Sequence, residues 1–374
     1  MAILEFQPKN ELDNSEVQWN NLLSRSLDKN PFLTYEWLMS WWKHFGNGKD
    51  LKIFTSEEMG QVSLAIPIMY SSKKIPGSKR YEASFASSGD CDYQGFLVTD
   101  FQKAARAINP LIETILETCD ADKLELNDIP EDSVSARLLA GVKGDSFGVN
   151  QSIVNTCPYI PFPDNREAFF SRLGSNMRRN LKVWERDARK DYRVEFVKHQ
   201  EIGTLKEAMK IFFELHQRSQ TAKGYPGVFS SDTYRSFHMD LANAFEKRGW
   251  LTLFFLTFND EPVSTIYSFE YNEKLYCYLC GFNQDYSSYR PGHLAFKNLM
   301  EYGMKKNLKE LDFLRGDEEY KTRWNPTIRT NLQFRINKKG ILRKITHMQG
   351  PPSAISNLNQ KVNFISHRLF ASGP

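Results

Sequence analysis

No stretch of the sequence approaches the roughly 18 consecutive apolar residues of a membrane-spanning helix. The opening MAILEFQPKN has no basic segment followed by an apolar one, so no secretory leader is expected. Cysteine is scarce: Cys91, Cys119, Cys157, Cys277 and Cys280 are five residues, an odd number, scattered over 374 positions. That argues against a disulfide framework and suits reduced thiols in the cytoplasm. Cys277 and Cys280 stand in LYCYLC, which reads as a strand and sends them to opposite faces. No second cysteine pair or histidine pair accompanies them, so no metal site is expected. Glycine (21) and proline (16) are too few for a collagen-like or low-complexity chain. A Walker loop, an HExxH helix and a Ser–His–Asp ordering are all missing.

What is abundant is aromatic: 27 Phe, 16 Tyr and 7 Trp, enough for a large core. The length suggests two domains. The net charge of +4 is mild but unevenly placed. Residues 172–193 carry eight basic side chains (Arg172, Arg178, Arg179, Lys182, Arg186, Arg189, Lys190, Arg193) against three acids (Glu185, Asp187, Asp191). A local excess of one sign points to an anionic partner rather than to general nucleic-acid binding.

Periodicity and turn residues give an alternating α/β order. In the first half, helices are expected at about Ser15–Leu27, at YEWLMSWWKHF behind the cap Thr34, at Phe101–Thr118 and at about Ser133–Ala140. LKIFTS and QVSLAIPIMYSS form a hairpin around Glu58-Met59-Gly60, and YEASFAS and KLELNDI are further strands. In the second half a helical run covers 166–191, and RVEFVKH is a strand. Helices at 203–221 and 230–247 precede the strands WLTLFFLTF, PVSTIYSFEY and KLYCYLCGF. Asn259-Asp260 and Asn272-Glu273 are their hairpin turns. A helix starting at Pro291, the strand LKELDFL and the strand TNLQFRI follow. The halves share an order of elements, which suggests a duplicated α/β domain. The expected limits are 1–160, 161–345 and a closing amphipathic helix in 346–374 with Ile355, Leu358, Val362, Ile365 and Leu369 on one stripe.

Two segments stand out chemically. On a helix, Met177, Leu181, Trp184 and Ala188 share one face, and Arg178, Arg179, Lys182 and Arg186 share the other. The basic face reads either as a solvated surface or as a platform for phosphates. The second segment is CGFNQDYSSYRPGHLAFKNLMEYGMKKNLKELDFLRGDEEYKTRWNP. A strand ends, a helix starts at Pro291-Gly292 beside Arg290, and a second strand delivers Arg315-Gly316-Asp317 at its carboxyl end, where α/β sheets commonly hold sites. Asp317, Glu318, Glu319, Tyr320 and Lys321 are expected to converge there, with Trp324 as a wall, and Lys321, four residues on from Asp317, would share its side of a helical turn. Asp317, Tyr320 and Lys321 are the candidates for proton handling and substrate positioning. His293, at the helix start, is a candidate base. The aromatic run Phe32–Phe45 and His216 read as core.

These residues resemble a family. NPFLTYEWLMSWWKHFG, SNMRRNLKVWERDARK, PGHLAFKNLMEYGMKKNLKELDFLRGDEEYK and the trailing Trp324 are similar, in order and spacing over residues 30–330, to the acetyltransferase-like proteins of the CelD/BcsL group of cellulose and exopolysaccharide biosynthesis. That group is related to the FemAB peptidyltransferases within the GNAT superfamily. The resemblance implies tandem GNAT-like domains, each a mixed, largely antiparallel sheet flanked by helices, with the transfer site in the second. It implies acyl transfer to an amine of a cell-envelope or polysaccharide precursor, without a metal. On this view Asp317, Lys321, Tyr320 and His293 serve the chemistry, and Arg178, Arg179, Lys182, Arg186, Arg290, Gly292, Arg315 and Trp324 bind substrate. The donor would be acyl-CoA or, as in FemAB-like enzymes, aminoacyl-tRNA. A non-catalytic module for an anionic sugar nucleotide or RNA is the rival. The stretch Arg290-Pro291-Gly292-His293-Leu294-Ala295 departs from the GNAT pyrophosphate loop Gln/Arg-x-x-Gly-x-Gly/Ala.

Overall fold

The computed structural model describes residues 2–4, 12–75, 78–163 and 165–339. The closing helix expected in 346–374 lies outside the described residues. Two compact units form, one from the residues up to Asn155 together with those from Arg329 onward, the other from Thr156–Ile328.

In the first unit, β1 (Ala2–Leu4) and the helices α1 (Leu12–Arg25) and α2 (Tyr35–Phe45) precede a meander of β2 (Asp50–Glu58), β3 (Gln61–Ile75) and β4 (Ser78–Phe85). Helix α2 starts where its cap dictates: Thr34 Oγ1 accepts the Trp37 N–H at 3.2 Å. Its aromatic run is core, with Phe32, Tyr35, Trp37 and Trp41 all buried. The short β5 (Leu97–Val98) lies on β3. Helix α3 (Phe101–Thr118), capped by Asp100, then crosses over to β6 (Lys123–Pro130), which pairs parallel with β4. Helix α4 (Val134–Ala140) and strand β7 (Phe147–Pro161) follow.

The second unit opens with α5 (Arg166–Arg172) and α6 (Ser175–Asp191). The single helical run expected over 166–191 is thus broken, because Leu173 is extended and Gly174 starts the next helix. Strand β8 (Val194–Lys198), the short α7 (His199–Ile202) and the helices α8 (Leu205–Thr221) and α9 (Asp232–Lys247) lead to a second meander. Its strands are β9 (Leu251–Phe258), β10 (Glu261–Tyr271) and β11 (Lys274–Phe282). Its turns use left-handed pairs, Asn259-Asp260 at φ 48° and 70° and Asn272-Glu273 at 48° and 61°, matching the twist of the strands. Helix α10 (Pro291–Lys305) crosses over to β12 (Glu310–Asp312), parallel to β11. Helix α11 (Glu319–Thr322) and β13 (Thr327–Lys338) complete the described chain.

The mixed α/β architecture expected from the sequence is what forms, and one pattern occurs twice: β2-β3-β4-β6 in the first unit, β9-β10-β11-β12 in the second. Sequence order does not reveal which strand closes each sheet. Strand β13 pairs antiparallel with β6, Leu332 opposite Ile129, and its Leu332, Phe334 and Ile336 fill the first unit's core. Strand β7 pairs antiparallel with β12, Leu311 opposite Ile160, and the boundary between the units falls inside it. The expected limits, 1–160 and 161–345, gave β13 to the second domain; its apolar face corrects that.

Candidate functional site

The second unit has a break in its sheet. Strands β11 and β12 pair only over Lys274–Tyr276 with Glu310–Asp312. Beyond Tyr276, β11 runs on to Phe282 while the other chain turns away through Leu314 (φ 60°) and Gly316 (φ 123°). Phe313 and Gly316 donate instead to the carbonyls of Pro158 and Thr156, both at 2.9 Å. The end of β11 is pinned from the other side, since the Phe282 N–H donates to Ser219 Oγ at 2.7 Å. The parting leaves a cleft of about 460 Å³ at the start of α10. The first unit parts in the same way beyond Ser84 and Glu125, but Trp19, Phe32, Leu38 and Phe85 crowd that place and leave about 20 Å³. Room for a ligand exists in the second unit's version.

Charge in the cleft is of one sign. Lys223, just after α8, Arg290 and Arg323 line it, and no carboxylate does among the described residues. Burial lowers the Lys223 ammonium from its ordinary value, while Cys280 and Glu318 pull the other way. Arg290 sits at φ 52° as the residue before α10. The helix start offers few donors: Pro291 has no N–H, and His293 and Leu294 both donate to the Arg290 carbonyl at 3.0 and 3.2 Å. A Cβ at Gly292 would come no closer than 3.8 Å to Phe282, so that glycine faces open space. Recognition of an anion here rests on side chains more than on the helix terminus.

His293 lines the cleft between two indoles, its ring 5.2 Å from Trp184 and 6.3 Å from Trp324. Its Nε2 and the Trp324 Nε1 are both buried without a hydrogen-bond partner. Burial, with Arg323 and Arg290 adding to it, holds the imidazole down at about 4, so it is neutral at physiological pH. Tyr320 also lines the cleft. Burial, with Cys280 and Glu318 close by, pushes its phenol well above the ordinary range, and its hydroxyl shares a hydrogen bond with the Cys280 thiol. The Cys280 thiol is likewise pushed up by burial and stays protonated.

Of the residues singled out in the sequence, the cleft brings together His293, Tyr320, Arg290 and Gly292. Trp324 lies buried behind His293 rather than forming a wall. Lys321 is not exposed to any ligand: both its side chain and that of Glu318 are 3% exposed, with Nζ and Glu318 Oε2 2.8 Å apart. This is an ion contact rather than an aligned hydrogen bond. Lys321 Nζ also donates to the carbonyls of Leu314, Arg315 and Gly316 at 3.3, 2.9 and 3.4 Å. It holds the turn. Asp317 is exposed and does not line the cleft, and Arg315 is half-buried and does not line it either. The convergence expected of Asp317 and Lys321 does not occur, because Lys321 turns inward and Asp317 outward.

On α6, Met177, Leu181 and Ala188 are buried as expected. The basic face is not uniform. Arg178 donates through Nη1 to the carbonyls of Ser171 and Leu173, Arg186 is exposed and paired with Asp187 at 2.7 Å, and among the described residues Arg179 reaches only Asn176. Arg178 and Lys182 line a separate groove, and Arg179 and Arg186 do not. Sequence reasoning missed Lys223 and Arg323. Arg323 stands in the quoted DEEYKTRWNP; Lys223 follows a helix end, with no pattern to mark it.

Residues 175–322, from α6 through α11 and so across the cleft, match the family model described as an acetyltransferase (GNAT) domain. No curated protein matches the sequence. Among solved structures, the fold is similar to FemX, at 12% identity and a TM-score of 0.62 over 89% of this chain and 97% of that one. It is also similar to a conserved protein of unknown function from Bacteroides thetaiotaomicron, at 12% identity and 0.57 over 90% and 100%. The L-PGS of Bacillus licheniformis matches at 9% identity and 0.50 over 90% and 97%. At such identities the likeness is one of fold. Among the described residues no helix is long and apolar enough to cross a membrane, and no cluster of side chains suits a metal ion.

Proposed function

We propose that the second unit catalyses acyl transfer from an anionic donor held in the cleft to an amine. The observation that carries this reading is the parting of β11 from β12 over a 460 Å³ space lined by cations. An acyl-CoA fits the residues present. Lys223, Arg290 and Arg323 suit its phosphates, and the unpaired edge of β11 beyond Tyr276 suits its amide-bearing arm.

The chemistry is direct attack. The amine nitrogen bonds to the acyl carbon, the donor's C–S bond breaks, the leaving sulfur takes a proton and the amine loses one. Tyr320 is a phenol at any working pH and donates its proton to the leaving sulfur, regaining one from solvent. His293 is neutral but weakly basic at a value of about 4, so it orients the amine by accepting its hydrogen bond, and solvent takes the proton. Exposed Asp317 and buried Lys321 have no part in this scheme. The resemblance to the CelD/BcsL group points to a cell-envelope or polysaccharide precursor as acceptor. Five free, buried cysteines support action in a reducing cytoplasm.

A second reading has support of its own. The helix start offers few N–H donors for a pyrophosphate, and the exposed Arg179, Lys182 and Lys190 of α6 suit a polyanion. An aminoacyl-tRNA as donor accounts for both. Thermal shift and calorimetry with acetyl-CoA, pantetheine and charged tRNA decide. Acetyl-CoA at about 100 times its Kd stabilises by about 2.7 kcal/mol, roughly 5–10 °C in Tm, whereas pantetheine, lacking phosphates, does not. Arg290→Ala with Arg323→Ala abolishes the shift. A response to charged tRNA alone moves the donor to the second reading. Anion binding without transfer from either donor leaves a non-catalytic module.

A further inference from the structure

A second groove, of about 480 Å³, lies against α5, α6 and α10. Its cations divide into two sets, and Glu167 adds a carboxylate to the lining. Lys297, 7% exposed, is neutralised: Nζ stands 2.9 Å from Glu185 Oε2 and 3.6 Å from Glu301 Oε1. Arg166 joins the same network through Glu301 at 2.8 Å. Arg178 and Lys182 stand outside it. The bonds from Arg178 Nη1 to two carbonyls, at 2.8 and 2.7 Å, fix the guanidinium without neutralising it and, among the described residues, leave Nε and Nη2 unused. Lys182, one turn further on, is exposed and has no carboxylate partner among the described residues. Two like charges at i, i+4 repel, and both line a concavity whose remaining wall includes Phe170 and Leu181.

We infer that this groove binds an organic phosphate, its phosphate on Arg178 and Lys182 and its apolar part on Phe170. A fixed guanidinium fork beside a free ammonium suits a tetrahedral anion with several acceptor oxygens. The groove and the cleft are both lined by residues of α10. Lys297 lies one turn beyond His293 on α10, about 6 Å along the axis, and α6 sets Trp184 on His293 and Glu185 on Lys297. The ligand is therefore the phosphate-bearing amine acceptor, and this last step rests on the transfer reading above.

Calorimetry with phenyl phosphate, benzoate and acetyl-CoA tests the groove without requiring turnover. Wild-type protein binds phenyl phosphate more tightly than benzoate, and raising salt from about 50 to about 500 mM weakens it. Lys182→Glu, at an exposed position that leaves folding intact, weakens phenyl phosphate by about tenfold or more and leaves acetyl-CoA unaffected. Arg178→Lys keeps the charge but loses the fork, and weakens binding too; its Tm reports any loss of the α5 contact. Arg290→Ala with Arg323→Ala does the reverse, losing acetyl-CoA and keeping phenyl phosphate. Equal affinity of Lys182→Glu and wild type, or no binding of phenyl phosphate by wild type, overturns the site. Benzoate binding as tightly as phenyl phosphate overturns the phosphate assignment. If acetyl-CoA binds nowhere while Lys182→Glu still loses phenyl phosphate, the transfer reading falls and the groove stands.

Discussion

Replacing Lys321 separates a structural role from a catalytic one. In the folded protein its ammonium touches the Glu318 carboxylate at 2.8 Å and three carbonyls of the turn 314–316, at a site where both charged side chains are 3% exposed. Lys321→Ala removes all four contacts and leaves Glu318 as a buried, uncompensated carboxylate. Breaking one side of a buried pair costs about 3–5 kcal/mol. For a unit of this size each kcal/mol corresponds to about 2–4 °C, so the expected fall in Tm is roughly 6–20 °C. Lys321→Met with Glu318→Gln removes the charge imbalance and recovers much of that loss. The assay is calorimetric unfolding of the full chain, paired with turnover per folded molecule at a temperature below all transitions. A Lys321→Ala protein that melts like wild type yet transfers nothing refutes the structural assignment and returns Lys321 to the chemistry.

The titration of His293 makes a further prediction. Its folded value of about 4 lies below the ordinary 6.5, so between them the unfolded chain binds a proton that the folded chain does not. Stability therefore falls as pH drops from about 6.5 to about 4, by at most about 3 kcal/mol, and is indifferent to this group above that window. His293→Gln flattens the Tm profile there; an unchanged slope refutes the assignment. Arg323→Ala raises the His293 value, because the guanidinium disfavours the charged ring, and an NMR titration of the imidazole shows an upward shift or disproves the proximity. Gly281→Ala places a Cβ 2.5 Å from the His216 backbone nitrogen, forcing α8 off β11 at a cost of about 1–3 kcal/mol; a Tm equal to wild type would contradict that packing.

Much of the fold could be read locally. Thr34 caps α2, Asn-Asp and Asn-Glu make the hairpins, and an apolar stripe fixes the buried face of α6, because each depends on neighbours in sequence. The cleft was half legible for the same reason: Arg290, Gly292 and His293 are contiguous at a helix start. Lys321 was misread because helical spacing put it beside Asp317, whereas α11 is a single turn, Glu319–Thr322, whose lysine is drawn inward by carbonyls from the preceding turn. Lys223 and Arg323 reach the cleft from elements that only the tertiary fold brings together. Nothing in TNLQFRI distinguishes a strand that closes its own sheet from one that closes another.

That last strand sets a schedule for biosynthesis. Asn331 pairs with Pro130, so the first unit's sheet stays incomplete until Thr327–Lys338 has been made. At about 5–20 residues per second, β6 leaves the ribosome roughly 10–40 s before its partner exists. For that interval it presents an open row of backbone donors and acceptors, the kind of edge that templates aggregation. Pairing across such a separation is also slow to form. Any fragment that stops short of Thr327 keeps that edge exposed permanently.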